Sequence, residues 1–266
     1  MWEGAYIALL PIDGVMFRKL LKPQASVSPP AIPSGQRVYA VGDVHGCLSL
    51  LERLLAAIDA DDAARGPALT TLIFLGDLVD RGPGSAGVVE RVRQLAGTGA
   101  DVRLLLGNHE EVFLAALEGD LQALKLFCRI GGRETALSYG ITSEAFEQAN
   151  YEDLAALLSA AVPVGHRALL MSGTGMEVIG DYAFVHAGVH PGRMLDEQRG
   201  ADLRWIREPF LNHRKRMERV IVHGHTIADE VEFCAHRIGV DTGAYLSGRL
   251  SAIGLEGSMR WVIGAS

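Results

Sequence analysis

The chain has 266 residues, 48% of them hydrophobic and 21% charged, with a formal net charge of −7. That length and apolar content suffice for one large core or two small ones, while the acid excess argues against nucleic acid as a partner and no run of about 20 apolar residues offers a membrane span. The cysteines, Cys47, Cys128 and Cys234, are too widely spaced for a zinc pattern or a disulfide set, which points to a reducing, cytoplasmic compartment.

Residues 1–35 read as a tail and linker, and residues 36–266 as one domain. Met1 to Phe17 has scattered apolar residues, but Glu3 and Asp13 interrupt them and no small-residue cleavage pattern follows, so no signal peptide is expected. Met16 makes an equally good chain start. From Pro23 to Gly35 the chain carries Pro29, Pro30 and Pro33 among serines, the chemistry of an extended linker that builds no core.

Arg37 to Gly42 reads as a strand that ends in Asp43-Val44-His45-Gly46. Leu48, Leu51, Leu54, Leu55 and Ile58 follow helical spacing, predicting a helix to about Asp59, with Cys47 at a buried helical position. Leu69 to Leu75 is a second strand, ending in Gly76-Asp77-Leu78-Val79-Asp80-Arg81-Gly82. Pro83-Gly84-Ser85 opens a helix with a stripe of Val88, Val89, Val92 and Leu95, and Asp101 to Leu106 is a third strand ending in Gly107-Asn108-His109-Glu110. Strand–helix–strand–helix–strand implies a parallel sheet with all three polar turns at one edge, where ligands of α/β sheets sit. Residues 111–172 read as a helical insert over that edge. Strands return at Glu177 to Ile179, at Tyr182 to Val185 (ending in His186-Ala187-Gly188) and at Arg219 to Val222 (ending in His223-Gly224-His225-Thr226). Val231 to Cys234, Arg237 to Val240, Leu250 to Leu255 and Arg260 to Ile263 close the chain. The whole is an α/β fold of two packed sheets with helices outside. Arg214-Lys215-Arg216 is the nearest approach to a basic cluster and reads as a solvated face.

Five strand ends thus carry Asp43 and His45, Asp77 and Asp80, Asn108 and His109, His186, and His223 and His225. Turn chemistry accounts for the Gly, Asp and Asn but not for the histidines. Carboxylate, amide oxygen and imidazole together suit a hard-to-borderline divalent ion, and one carboxylate bridging two such ions is the usual core of a two-metal hydrolytic site.

These motifs, in this order from about Arg37 to the last strands, resemble the signature set of the calcineurin-like metallophosphoesterases, and within them the bacterial and phage branch of the phosphoprotein phosphatases. The resemblance implies a central β-sandwich of two mixed sheets flanked by helices, in four layers. It implies that Asp43, His45 and Asp77 hold a first metal, and Asp77, Asn108, His186 and His225 a second, with Asp77 bridging; manganese is the expected ion, with iron or zinc as alternatives. His109 is the implied general acid, oriented by Asp80, while Arg81 and Arg207 clamp the phosphate, with Asn108 beside them and Arg204 competing with Arg207. His223 stays outside the ligand set, in a supporting hydrogen-bonding role. The implied reaction is direct attack by a hydroxide generated between the ions, without a covalent phosphoenzyme.

The activity expected from this set is a metal-dependent phosphomonoester hydrolase, a serine/threonine protein phosphatase with possible phosphotyrosine activity and a phosphorylated protein or peptide as partner. The alternative is a symmetric diadenosine tetraphosphate hydrolase, whose motifs are nearly the same; Asp80 leans against it, because that branch commonly lacks this aspartate. No feature of the sequence fixes an oligomeric state.

Overall fold

The computed structural model describes residues 28–266; the expected tail over residues 1–27 and the alternative start at Met16 lie outside them. The first strand decides the layering. In β1 (Gln36–Val41) the side chains of Val38 and Ala40 join one apolar cluster and those of Tyr39 and Val41 another, all fully buried. A strand covered on both faces belongs to the middle of a layered α/β structure.

β1 passes through the Asp43–Gly46 turn into α1 (Leu48–Arg65), followed by β2 (Leu69–Phe74), α2 (Ser85–Ala96) and β3 (Asp101–Leu104). Six helices come next: α3 (Asn108–Leu117), α4 (Leu121–Ile130), α5 (Gly132–Ser138), α6 (Ser143–Gln148), α7 (Tyr151–Ala161) and α8 (Val164–Met171). β4 (Met176–Ile179) and β5 (Tyr182–Val185) lead to α9 (Gly200–Trp205), β6 (Val220–His223), β7 (Glu232–Phe233) and β8 (Arg237–Gly239). A short α10 (Ala244–Ser247) precedes the hairpin of β9 (Leu250–Glu256) and β10 (Met259–Ala265). The strands form two five-stranded mixed sheets, ordered β10-β9-β1-β2-β3 and β4-β5-β6-β8-β7. β1, β2 and β3 run parallel, as do β5, β6 and β8.

Val38, Ala40, Ile73 and Leu75 of the first sheet meet Phe184, Val222 and Ile238 of the second in the sandwich core. The far face of the first sheet packs on α1, α2 and the six-helix segment through Val41, Leu54, Val89, Phe113 and Phe127. The far face of the second sheet carries Val185 and Ile221 against Leu203, Ile206 and Phe210. Because the central strands of each sheet are parallel, their carboxyl ends fall at one edge, and the polar turns meet there.

Three details depart from the sequence reading. α1 continues to Arg65, past its apolar stripe, because polar partners anchor its last turns: Asp62 pairs with buried Arg37 at 2.7 Å, and Asp61 accepts from Tyr39 Oη at 2.7 Å. Cys47 is half-buried at the N-cap of α1 rather than inside the helix. The end of the Pro/Ser-rich stretch is fastened, not free: Ile32 is buried in the sandwich core, its N–H donates to Gly257 O at 2.8 Å, and Ala31 N–H donates to Asp181 Oδ2 at 3.0 Å. No single helix among the described residues is long and apolar enough to cross a membrane.

Candidate active site

The turns at this edge are strained. Five non-glycine residues have left-handed φ: His45 (44°), Asp77 (53°), Asp80 (71°), Arg81 (69°) and His225 (62°). Each such conformation costs on the order of 1 kcal/mol and persists only where its surroundings enforce it. All five carry side chains into the constellation read from the sequence. The turns also approach each other too closely for side chains at two glycines. A Cβ on Gly107 would collide with the Asp77 carboxylate, and one on Gly224 with that of Asp43.

Asp77 is central. His45 Nε2 lies 3.5 Å from its Oδ2, His186 Nε2 lies 3.4 Å from its Oδ1, and His109 N–H donates to Oδ1 at 3.1 Å. Two groups of potential metal ligands share it: His45, Asp77 and His109, and Asp77, His186 and His225, with ligand atoms within 4.8 Å of one another in each. Asn108 joins the second group through Oδ1, 2.9 Å from His186 Nε2 and 3.0 Å from His225 Nδ1. Asp43 stands at the rim of the first group, with Oδ2 4.0 Å from His45 Nε2, and both its oxygens accept the His225 N–H at 3.0 and 3.1 Å.

The donor set fits divalent cations. His186 Nδ1–H donates to Leu75 O and His45 Nδ1–H to Val79 O, each at 2.8 Å. That fixes the tautomers and leaves a lone pair on each Nε2. Burial lowers the pKa of His186 to about 4 and that of His225 to about 3, and pushes His45 well below its ordinary value, so the rings are neutral near pH 7. His186 Nε2 therefore faces Asn108 Oδ1 and Asp77 Oδ1, three acceptors turned on one point, an arrangement a cation between them resolves. His225 Nε2 is buried without a partner. Burial, with Asp241 and Asp77 alongside, raises the Asp43 carboxyl well above the usual range, the electrostatic counterpart of a site short of positive charge.

Beside this centre, His109 Nδ1 sits 2.6 Å from Asp80 Oδ2. Asp80 is held in turn by Thr135 Oγ1, which donates to its Oδ1 at 2.6 Å, and its N–H donates to Thr135 Oγ1 and Ser85 Oγ. Burial opposes a charged His109 ring, but Asp77 and Asp80 hold its pKa above the ordinary value. Arg81 Nη2 is 3.1 Å from His109 Nε2, and its guanidinium lies over the Tyr245 ring, 4.7 Å from the centroid. Arg207 is exposed, with Nη1 3.2 Å from Thr226 Oγ1 and Nη2 3.4 Å from His225 O. Arg204 turns away to Glu111, pairing at 2.6 Å. His223 is buried, with Nδ1 3.0 Å from Gly224 O and Nε2 3.4 Å from Arg237 Nη1, outside both ligand groups.

Two carboxylates of the site escape the sequence reading. Glu110 is fully buried and accepts N–H groups from Asp77, Leu78 and Gly107 at 2.7, 2.7 and 3.1 Å. Its signal was its place three residues into a helix that follows Gly107, where an acid reaches back to the preceding turn. Asp241, after β8, is buried beside Asp43 and accepts Gly243 N–H at 2.8 Å. Its signal was its place at the end of the strand read at Arg237 to Val240, with Gly243 two residues on, the pattern of the other strand ends.

A family model described as calcineurin-like phosphoesterase matches residues 36–246. A curated relative from Methylococcus capsulatus, named as a symmetrical bis(5'-nucleosyl)-tetraphosphatase, is 31% identical over 202 residues, 76% of this chain and 55% of the relative. The chain thus spans about half the length of that relative. Among solved structures, a candidate diadenosine tetraphosphatase superposes with a TM-score of 0.62 at 23% identity, covering 90% of this chain and 99% of its own. A cold-active protein tyrosine phosphatase superposes with a TM-score of 0.54 at 23% identity, covering 87% of this chain and 81% of its own; both show the shared fold.

Proposed function

Because the chain belongs to the calcineurin-like phosphoesterase family, we propose that it is a two-metal phosphohydrolase that cleaves dinucleoside tetraphosphates symmetrically, the activity named for its curated relative. The convergence of lone pairs on Asp77 from both sheets carries the two-metal part of this reading. Asp43, His45 and Asp77 would hold one ion and Asp77, Asn108, His186 and His225 the other, with manganese as the ion to test. Divalent ions at such a centre lower the pKa of water toward neutrality and offset the charge of the phosphoryl group.

The chain's own residues would do the rest. Arg81 and Arg207 offer guanidinium forks to phosphate oxygens. A phosphate that draws Arg81 away from His109 leaves Nε2 free to carry a proton to the leaving oxygen, with Asp80 on the opposite nitrogen stabilising the charged ring. No side chain needs to act as a nucleophile. The free cysteines fit a reducing, cytoplasmic setting for this reading.

The Asp80–His109 pair favours a second reading, phosphomonoester hydrolysis of a phosphoprotein. A serine or threonine alkoxide is very basic and needs a poised acid, whereas expulsion of a nucleotide phosphate needs little protonation. The test is catalytic efficiency of the manganese-loaded chain on diadenosine tetraphosphate and on a phosphoserine peptide, with Asp80→Asn alongside. The first reading expects higher efficiency on the dinucleotide and little effect of Asp80→Asn upon it. A preference for the peptide that Asp80→Asn abolishes would hand the site to the second.

A further inference from the structure

Arg207 is poorly fixed by its own contacts. It is exposed, and its hydrogen bonds to Thr226 and His225 are long, at 3.2 and 3.4 Å. The segment that carries it is nonetheless tightly tied. Glu111, in the first turn of α3, uses both carboxylate oxygens: Oε1 accepts from Arg204 Nη2 and Oε2 from Trp205 Nε1, each at 2.6 Å. Both partners lie at the end of α9, two and three residues before Arg207. On its other side α9 is stitched to the second sheet, where Ala187 N–H, next to His186, donates to Leu203 O at 2.7 Å. Ile206 is buried between these ties and Arg207. α9 therefore bridges two ligand-bearing turns, Asn108-His109 on one side and His186 on the other.

We propose that Glu111 is a positioning residue for substrate binding: by holding Arg204 and Trp205 it sets the place of Arg207 against the helix that carries Asn108 and His109. The inference rests on the reading above, in which Arg207 binds substrate phosphate. It gives Arg204 a tethering role in place of a second clamp. Charge-assisted hydrogen bonds as short as these are about twice as strong as neutral ones, so the tie is stiff, while the clamp at its end stays accessible. Loss of the tie lets Arg207 wander and weakens phosphate binding in ground state and transition state alike, which raises KM and leaves kcat in place.

The test uses the full-length, manganese-loaded chain with diadenosine tetraphosphate, a phosphoserine peptide and inorganic phosphate as inhibitor. Glu111→Gln should raise KM about tenfold on whichever substrate is turned over, change kcat by less than about twofold, and weaken phosphate inhibition by the same factor as KM. Trp205→Phe, which keeps an aromatic side chain at this half-exposed position but removes the N–H donor with part of the indole, should give a smaller rise of about two- to threefold, with little change in melting temperature. In an Arg207→Ala background, Glu111→Gln should add almost nothing, because coupled residues are not additive. Unchanged KM and phosphate inhibition in Glu111→Gln, or its full effect persisting without Arg207, would overturn the inference. An inert Arg207→Ala would remove the clamp itself, a failure of the earlier reading that is separately visible.

Discussion

Glu110 shows how one buried side chain can organise a centre without touching substrate. Its oxygens gather N–H groups from the Asp77 turn and from Gly107, so the two loops that bring the bridging carboxylate and Asn108 share one anchor. Glu110→Gln keeps the shape but turns an NH₂ toward backbone donors; a lost acceptor in a buried site costs roughly 1–3 kcal/mol. The variant should melt lower and bind fewer than the wild-type complement of divalent ions, measurable by thermal denaturation and metal analysis. His109 is a different case, because Asp77, His186 and His225 form their group without it, and in the proposed reading Asp43 stands beside His45 and Asp77 in the first. His109→Asn should leave the second metal group intact and slow substrates with basic leaving groups by about 10²–10⁴-fold, with an activated aryl phosphate much less affected. Equal losses on both substrates would show that His109 does not deliver a proton. At this scale the sequence is legible where chemistry and turn residues coincide. Asp43, Asp77, Asn108 and His225 stand at strand ends directly after glycines, and His186 at one two residues before Gly188. Asp241 stands at a strand end as well but has no histidine or second acid beside it to single it out, and Thr135 lies inside α5, where only folded proximity reveals it.

Among the elements, the α4–α5 junction matters most to the site. Gly131 closes α4 with φ 116°, and its carbonyl accepts the Arg81 N–H at 3.0 Å. A Cβ there would lie 2.8 Å from both Arg81 Cγ and Arg81 N. α5 then presents Thr135 to Asp80. The helical segment is therefore part of the site wall. Gly131→Ala combines a strained φ with a collision against Arg81; it should cost on the order of 1–3 kcal/mol of stability and raise KM for every phosphate substrate. A thermal melt together with Michaelis curves checks both, and an unaltered KM would separate the junction from phosphate binding. The regular elements were readable from periodicity, since the apolar stripe of α1 and the buried runs of β1, β2 and β5 are strong signals. The last turns of α1 and the docking of Ile32 were not, because polar anchors and a single apolar residue carry no period.

Across the whole molecule, the sandwich and its parallel central strands follow from the order of strand and helix signals, while the crowding of acids at one edge depends on tertiary packing. That crowding has a pH signature. Burial raises the carboxyls of Glu110 to about 7 and Asp241 to about 6, above their unfolded values, so their contribution to stability is full at low pH and is lost as pH rises through those values. Burial lowers His186 to about 4 and His223 to about 3, so their contribution is present above about 6.5 and is lost as pH falls toward those values. In chelator-treated protein the two trends oppose each other from about pH 4.5 to 6.5 and leave a net decline toward pH 7. Divalent ions neutralise the carboxylates and should remove that decline, so melting curves with and without manganese should diverge as pH rises. Parallel curves would mean that the ions do not bind among these acids.

The ligand groups come from both sheets, and the hydrogen bonds from the His225 N–H to the Asp43 carboxylate span 182 positions of the chain. Contacts of such separation close late, because the intervening loop entropy must be overcome first. The ligands sit on turns at strand ends of both sheets, so the centre is a clasp that is complete only once the sheets have met, and ions that enter it are expected to stabilise the native state more than the folding transition state. Manganese should slow unfolding in denaturant by a factor close to its whole effect on stability and leave the refolding rate nearly unchanged. Stopped-flow kinetics with and without the ion measure both limbs, and faster refolding with metal would place the clasp in the folding nucleus instead.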